Sequence, residues 1–372
     1  MSDPPAIIIV AYSARALASS AARAGFAALA IDVFGDDDTR EMSLASVKLQ
    51  GGLSEGLATD KVVGAVETLV SAHDPVGLVY GAGFEHQPET IVAVARKTRI
   101  FGNDAETLRR AKDPLALARV CEGSGIRHPA IALEAPDESE HWLTKRRGGS
   151  GGAHITIVEG ALCASPHSYF QRRVGGRSIS ALFLASRRKA EIIGLSMQWT
   201  APTSTSPFRY GGAAGPVDID PAQAEEIGRS VGAIAHEFDL VGLNSADFLV
   251  SDDAVWLLEI NPRPGATIDV FESNNGPLFA HHIAACEGRP TPMSPSFAFK
   301  AAEIVYAPRD IVIGEGRNWP DWAVDRSPPG TRIAADDPLC TVLGSGATVD
   351  LARASASERA RIIVALVQEA DH

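Results

Sequence analysis

Cysteine is scarce in this chain, with Cys121, Cys163, Cys286 and Cys340 standing alone in 372 residues. No CxxC pair occurs and no histidine sits at zinc-ligand spacing, which excludes a zinc ribbon or dithiol redox centre and predicts reduced thiols. The adjacent His281 and His282 fall in a helical pattern about 100° apart, a poor metal pair, and read as ordinary residues. Basic residues are outnumbered, 34 against 46 acidic ones, and the net charge of -12 argues against a nucleic-acid partner. Long apolar runs are missing too. The run from Ala6 to Ala11 is too short for a signal peptide and lacks its basic flank, so no membrane partner and a soluble cytoplasmic protein are expected. Low-complexity tracts and fixed-period repeats are absent, and 45% hydrophobic with 22% charged residues is an ordinary globular balance.

A chain of 372 residues has material for two or three domains. Residues 6–102 alternate between short apolar strands (AIIIVA, ALAIDVF, GLVYG, RIFG) and helical patterns, the first helix capped at Ser13 and stopped at Gly25. That alternation predicts a parallel sheet with helices on both faces. Asp32 lies about where a dinucleotide fold would place its ribose-binding acid, but Ala11–Ala16 carries side chains in place of the glycine fingerprint. The domain therefore reads as a scaffold whose strand ends lend a pocket, with Gly81 to Glu85 its most pocket-like loop.

Lys112 stands where a second helix begins at Asp113 and Pro114, a position that favours an anion, although solvent exposure is the commoner fate of such a lysine. Further on, the strand WLTK delivers Lys145, a loop of Gly148, Gly149, Ser150, Gly151 and Gly152 follows, and HITIV is another strand. Glycines expose backbone N–H groups and let phosphate oxygens approach, while the lysine adds a point charge. The same residues also fit a mobile hairpin tip. No GKS or GKT follows, so this is not a P-loop. Residues 142–199 are expected to form one small, mainly antiparallel sheet; 200–217 reads as a connecting loop with Arg209 and Tyr210, and Pro221 to Phe238 as a helix.

Val241 to Ala266 reads as two apolar strands joined at Ser251, Asp252 and Asp253. Asp247 lies inside the first; Glu259 and Asn261, two apart on the second, share a face. Oxygen-bearing side chains in apolar strands are costly unless something binds them. Two carboxylates and an amide suit Mg²⁺ that keeps some waters and takes its other ligands from phosphates. A half-exposed polar hairpin edge is the plainer account of the same residues.

Taken in order, these features resemble the ATP-grasp superfamily of carboxylate-amine ligases over about residues 5–350. The resemblance implies a mixed α/β and α+β ATP-grasp fold: an N-terminal parallel α/β domain over 1–103, a core over 104–296 with a small lid at 142–199, and a β-rich extension with a final helix over 297–372. It implies ATP, with Lys112 and Lys145 on its phosphates and Gly148 to Gly152 closing over them. Gln171, Arg172, Arg173 and Val174 would be the hinge against adenine, and Ser178 stands where many members have a ribose-binding glutamate. Asp247, Glu259 and Asn261 would hold Mg²⁺, Glu259 bridging two ions, with Mn²⁺ able to substitute. Arg263 would reach the transferred phosphate or the substrate carboxylate. The partners implied are a small carboxylic acid and an amine, and such ligases commonly dimerise through the scaffold domain.

The chemistry follows from the residues: a carboxylate must become an acyl phosphate before an amine can displace phosphate, and cations offset the repulsion of two anions. Arg209, Arg263 and the loop from Gly265 to Gly276 are candidate substrate contacts. Residues 298–350 read as short strands before a last helix with a capping box at Ser355 and Glu358, similar to the extension of biotin-carboxylase-like proteins. The branch with tyramine-glutamate ligase is the nearest resemblance, implying a γ-linked glutamate amide. A bicarbonate-activating carboxylase and a non-catalytic nucleotide-binding regulator are the competing readings.

Overall fold

The computed structural model describes residues 3–51, 56–136, 141–158, 165, 167–273, 276–291, 298–316 and 318–369. Cys163 lies outside them, as do residues 274–275 of the proposed substrate loop. Cys121, Cys286 and Cys340 are free thiols.

The first layer is β1 (Ala6–Val10), α1 (Arg15–Arg23), β2 (Ala27–Asp32), α2 (Asp37–Met42), β3 (Ala45–Lys48), α3 (Thr59–His73), β4 (Leu78–Tyr80), α4 (Glu89–Ala95) and β5 (Ile100–Phe101). The sheet is parallel in the order β3-β2-β1-β4-β5. Its strands are apolar on both faces because both are covered. Ile8, Val10, Leu29 and Ile31 pack with Val62, Val66 and Leu69 of α3. Ile7 and Ile9 pack with Leu17, Ala18 and Ala21 of α1 and with Phe271 and Phe279 from the rest of the chain. The strand order reverses between β1 and β4, and a doubly wound sheet opens its crevice at the carboxyl ends of such strands. Ser13 does not cap α1; its hydroxyl donates to Asp325 Oδ1 at 2.9 Å, and α1 begins on Ala14 without a side-chain cap. Asp32 is a structural acid whose carboxylate accepts from the N–H groups of Ala14 and Gly35.

Two helices, α5 (Ala105–Ala111) and α6 (Pro114–Ser124), lead into β6 (Ile131–Ala132), β7 (Trp142–Arg146), β8 (Ile155–Ile157) and β9 (Ser168–Arg172). Asp113 caps α6 through Leu115 N, with Pro114 in the first turn and Gly125 left-handed at its end. Strands β6 to β9 make a small sheet ordered β6-β9-β7-β8.

The expectation of one sheet over 142–199 gives way here. β10 (Arg177–Ser186) and β11 (Lys189–Thr200) join β12 (Tyr210–Gly215), β13 (Gly242–Val250), β14 (Val255–Asn261), β15 (Phe299–Tyr306), β17 (Ala323–Val324) and β19 (Pro338–Gly346) in an eight-stranded sheet. The reason is the apolar content of β10, whose Ile179, Ala181 and Phe183 need the core beneath α7 (Pro221–Glu237). Residues 200–217 are likewise not all loop, because β12 pairs both β11 and β15. The strands after residue 297 thus continue the core sheet, with β16 (Ile311–Val312) and β18 (Arg332–Ile333) a separate pair. Short helices α8 (Ile268–Phe271) and α9 (Leu278–Cys286) pack under the first layer.

The final helix α10 (Val349–Glu369) starts before Ser355, so the capping box is an interior pair; Thr348 Oγ1 accepts from Leu351 N instead. His282 is buried, accepting from Leu243 N through Nδ1 with Nε2 against Phe101 O, and so is a packing residue. No described helix is long and apolar enough to cross a membrane.

Candidate functional site

Strands β13 and β14 set the centre. Their antiparallel register puts Asp247 opposite Glu259 and Ser245 opposite Asn261. Directly opposite residues carry their side chains on one face, so the two carboxylates and the amide converge. Asn261 Nδ2 donates to Asp247 Oδ2 at 2.9 Å. The hairpin is pinned to the first layer by the buried Asn103, whose Nδ2 donates to Asn244 Oδ1 and Pro262 O while its Oδ1 accepts from Val241 N.

Both predicted lysines reach this face. Lys112, between α5 and α6, donates to Ile260 O at 3.0 Å and Asn261 Oδ1 at 3.2 Å and lies 3.9 Å from Glu259 Oε2. Lys145, 3% exposed on β7, donates to Gln171 Oε1 at 2.9 Å. Burial pulls the Lys145 ammonium below its ordinary value, with Glu259 opposing. The carboxylates respond in opposite senses. Burial would raise Glu259, yet Lys112 and Lys145, with His154 and Arg263, hold it below the usual range, whereas burial and the charge of Glu259 push Asp247 up.

Two crowded carboxylates, one driving the other toward its protonated form, are the arrangement a divalent cation relieves. Among the described residues no trio of His, Cys, Asp or Glu is grouped for a metal. With the Asn261 amide beside them the two carboxylates present an all-oxygen set, a donor type that fits Mg²⁺ keeping some waters.

Arg263 is 8% exposed, and its Nε donates to Glu85 Oε1 at 2.8 Å, with Nη2 at 3.4 Å from Asn261 Oδ1. The guanidinium so joins the β13–β14 hairpin to the loop after β4.

The glycine loop lies across the cleft. Gly148, at φ +65°, comes so close to the Glu85 carbonyl that a Cβ there would stand 2.5 Å from it. Gly152, at φ +74°, lies against the Phe208 carbonyl, 1.9 Å from where its Cβ would be, and Gly151 O accepts from Tyr210 N. Close approach at positive φ is what glycine permits. Gly149 lies under the ring of His154, and Ser150 O is 3.3 Å from His154 Nδ1.

At the hinge, the N–H groups of Arg172 and Arg173 are spent on Ala130 O and His141 O. Gln171, Arg172, Arg173, Val174 and Ser178 all line the cleft. Ser178 Oγ donates to Gln198 Oε1, and Gln198 Nε2 donates to Asp247 Oδ1, each at 3.4 Å.

Gln198 and His154 went unassigned by sequence reasoning, and Glu85 was named only as the end of the pocket-like loop. Only strand register brings Gln198 beside Asp247, and only the folding of the loop over β7 brings His154 to the lysines; a polar residue among the apolar positions of β11 was the one signal available. Arg209 lines the cleft, but its donors go to Ala201 O and Asp336 O and its plane stacks 3.6 Å from the Tyr306 ring centroid.

The cleft has a volume of about 2040 Å³. Single small-molecule pockets run to roughly 1,000 Å³, so a nucleotide leaves space for a second ligand. Its lining runs from the hinge past Lys145 and Glu259 to Tyr12, Ser13, Asp36, Gly81 and Ala82 at the strand ends of the first layer.

Residues 111–267 match the model of the ATP-grasp domain. The large chain of carbamoyl phosphate synthase from Neisseria gonorrhoeae is 24% identical over 243 residues, covering 59% of this chain and 22% of that protein. Its counterpart from Thermoplasma acidophilum is 22% identical over 231 residues, covering 52% and 20%. The chain thus spans about a fifth of the length of these curated relatives. Among solved structures, the biotin carboxylase domain dimer of Hydrogenobacter thermophilus 2-oxoglutarate carboxylase, in complex with MgADP, ADP and bicarbonate, superposes with TM-score 0.73 at 12% identity, covering 96% of this chain and 90% of that one. N5-carboxyaminoimidazole synthetase from Staphylococcus aureus gives TM-score 0.69 at 13% identity, with 97% and 98% covered.

Proposed function

Because residues 111–267 are an ATP-grasp domain, we propose that this protein is an ATP- and Mg²⁺-dependent ligase. It activates a carboxylate as an acyl phosphate and joins it to an amine, releasing ADP and phosphate. The observation that carries this reading is the meeting of Lys112, Lys145, Asp247, Glu259 and Asn261 under a docked glycine loop, in a cleft large enough for two ligands.

Lys112 and Lys145 bind the phosphates as point charges, held in place by Asn261 and Gln171. The hinge lies along the same cleft for the adenine, and Ser178 with Gln198 offers hydroxyl and amide groups to the ribose. Mg²⁺ on Asp247, Glu259 and Asn261, when bound, would neutralise phosphate charge as the carboxylate attacks the γ-phosphorus. Arg263 adds a buried positive charge beside Asn261. The docked loop excludes water, which would otherwise hydrolyse the acyl phosphate. No protein nucleophile is needed for the amine to displace phosphate from the acyl carbon. The reading extends to a homodimer, a state light scattering reads directly.

The test is phosphate release from MgATP with a panel of carboxylic acids, glutamate and bicarbonate among them, and amines including tyramine, with mass spectrometry of the products. One acid and amine pair should stimulate ADP formation and yield an amide. Glu259→Gln, which removes one of the two carboxylate charges at the metal, should lower that rate on the order of 10²-fold or more. Stimulation by bicarbonate without an amide would move the assignment to a carboxylase, and MgATP binding without any stimulation would move it to a regulator.

A further inference from the structure

Where the C-terminal segment closes on the first layer, Asp32, Asp36, Asp38, Asp269 and Asp325 crowd around Arg15, and four of the five are accounted for. Asp32 accepts from Ala14 N and Gly35 N. Asp38 accepts from Asp325 N at 2.8 Å and Arg326 N at 2.9 Å. Asp269 and Asp325 divide the guanidinium of Arg15 between them, and Asp325 also accepts from Ser13. Asp36 differs. It is 1% exposed, it lines the cleft, and its Oδ2 has no hydrogen-bond partner among the described residues. Its own α2 makes no use of it as a side-chain cap. Burial and the charges of Asp325, Asp32 and Asp38 push its carboxyl up to about 9, and Arg15 offsets this only in part.

Lys48 lines the same cleft and lies over Gly35, yet with Arg15 it supplies two cations against five carboxyls. A buried oxygen with no hydrogen-bond partner among the described residues, amid that excess, is a position that calls for a further cation. The same cleft is lined by Tyr12 and Phe34, aromatic side chains of the kind that attract organic cations. A metal ion is the poorer occupant, because the neighbouring carboxylates are already spent on Arg15, Ser13 and backbone N–H groups.

Resting on the ligase reading above, we propose that Asp36 recognises a second, non-reacting cationic nitrogen of the acceptor substrate, an alkylammonium or guanidinium group remote from the neutral amine that attacks the acyl phosphate, at the strand-end part of the cleft. This position is separate from the phosphate residues and determines which amine is accepted.

The experiment measures thermal shift and calorimetric binding for the full chain and for Asp36→Asn, with cadaverine and agmatine as probes that carry a second cationic nitrogen, 1-pentanol as the neutral control and KCl as the inorganic cation. Asp36→Ser repeats the readout with a smaller neutral side chain. At least one amine should bind the native chain, bind tenfold or more weakly to Asp36→Asn, and leave 1-pentanol and matched KCl without effect. Asp36→Asn without ligand should melt at the native temperature near neutral pH and above it toward pH 9, because the amide cannot take on the charge that the carboxyl acquires there; a purely structural carboxyl would leave the variant less stable. Equal amine binding in the variants, a response to KCl alone, or no response to any amine would overturn the assignment. MgATP titration of the same samples separates the two readings: loss of MgATP binding by the native chain would sink the ligase, whereas the amine response judges Asp36.

Discussion

Arg263 was named from the resemblance as a contact for the transferred phosphate or the substrate carboxylate, but its partner in the fold was not, because Glu85 lies 178 residues away. Both side chains are nearly inaccessible, at 9% and 1%. Burial would raise the Glu85 carboxyl, yet Arg263, Lys112 and the Gly83 N–H hold it below its ordinary value. Removing one member of such a pair leaves a buried charge uncompensated. Glu85→Gln should therefore cost about 3–5 kcal/mol, read as a lowered midpoint in urea unfolding with an unchanged slope; a loss under about 1 kcal/mol would mean the pair is solvated. Asp32 shows the opposite case of a residue whose sequence position suggested a ligand. Its two oxygens hold the turns after β1 and β2 together, so a ribose has nothing to bind there.

The glycine loop reads from the sequence as one that lets phosphate oxygens approach; in the structure the close approach at Gly148 and Gly152 is to the carbonyls of Glu85 and Phe208. Gly152→Ala would put a Cβ 1.9 Å from the Phe208 carbonyl at φ +74°. The left-handed conformation alone costs a non-glycine roughly 1–2 kcal/mol, and the clash forces the loop away from Tyr210. Because the loop bears little of the core, the melting temperature should change by under about 3 °C. The Km for ATP should rise roughly tenfold, as checked by steady-state kinetics once the substrate pair is known, or by nucleotide titration before then; unchanged affinity would show that the docked form is not the binding form. β12 went unread for a contrary reason. YGGAAG has none of the β-branched residues that mark a strand, and only its place between β11 and β15 makes it one.

Across the whole molecule, the first layer and the C-terminal strands are clasped by Arg15 with Asp269 and Asp325 and by Asp38 with the backbone of 325–326. The clasp is acid-rich, which sets a pH dependence. Asp36 is raised to about 9 and Asp32 to about 6, so the folded chain holds protons that the unfolded chain, at 3.8, has released. The stabilisation from each is complete below the unfolded value and is lost as pH climbs through the folded one. Asp325 is depressed, so its contribution is lost only on acidification, below this window. Between about pH 6 and 9 stability should fall with rising pH, at up to about 1.4 kcal/mol per unit for one such proton. Melting curves across that range should slope downward for the native chain and flatten for Asp36→Asn; parallel curves would place the slope elsewhere.

What the sequence determined by itself is whatever local pattern encodes: the alternation that makes the parallel layer, the lysine followed by glycines, and the acid and amide on one face of β14. Each depends on neighbours within a few residues, through strand alternation, capping and turn chemistry. What only the tertiary structure decided is which of those patterns meet. It moved β10 and β11 into the core sheet because their apolar faces need α7, joined Glu85 to Arg263, set Gln198 beside Asp247, and left the Asp36 Oδ2 without a hydrogen-bond partner among the described residues. Such pairings span tens to hundreds of residues, where burial and the requirement that buried polar groups find partners select the contacts, and no short-range spacing records that choice.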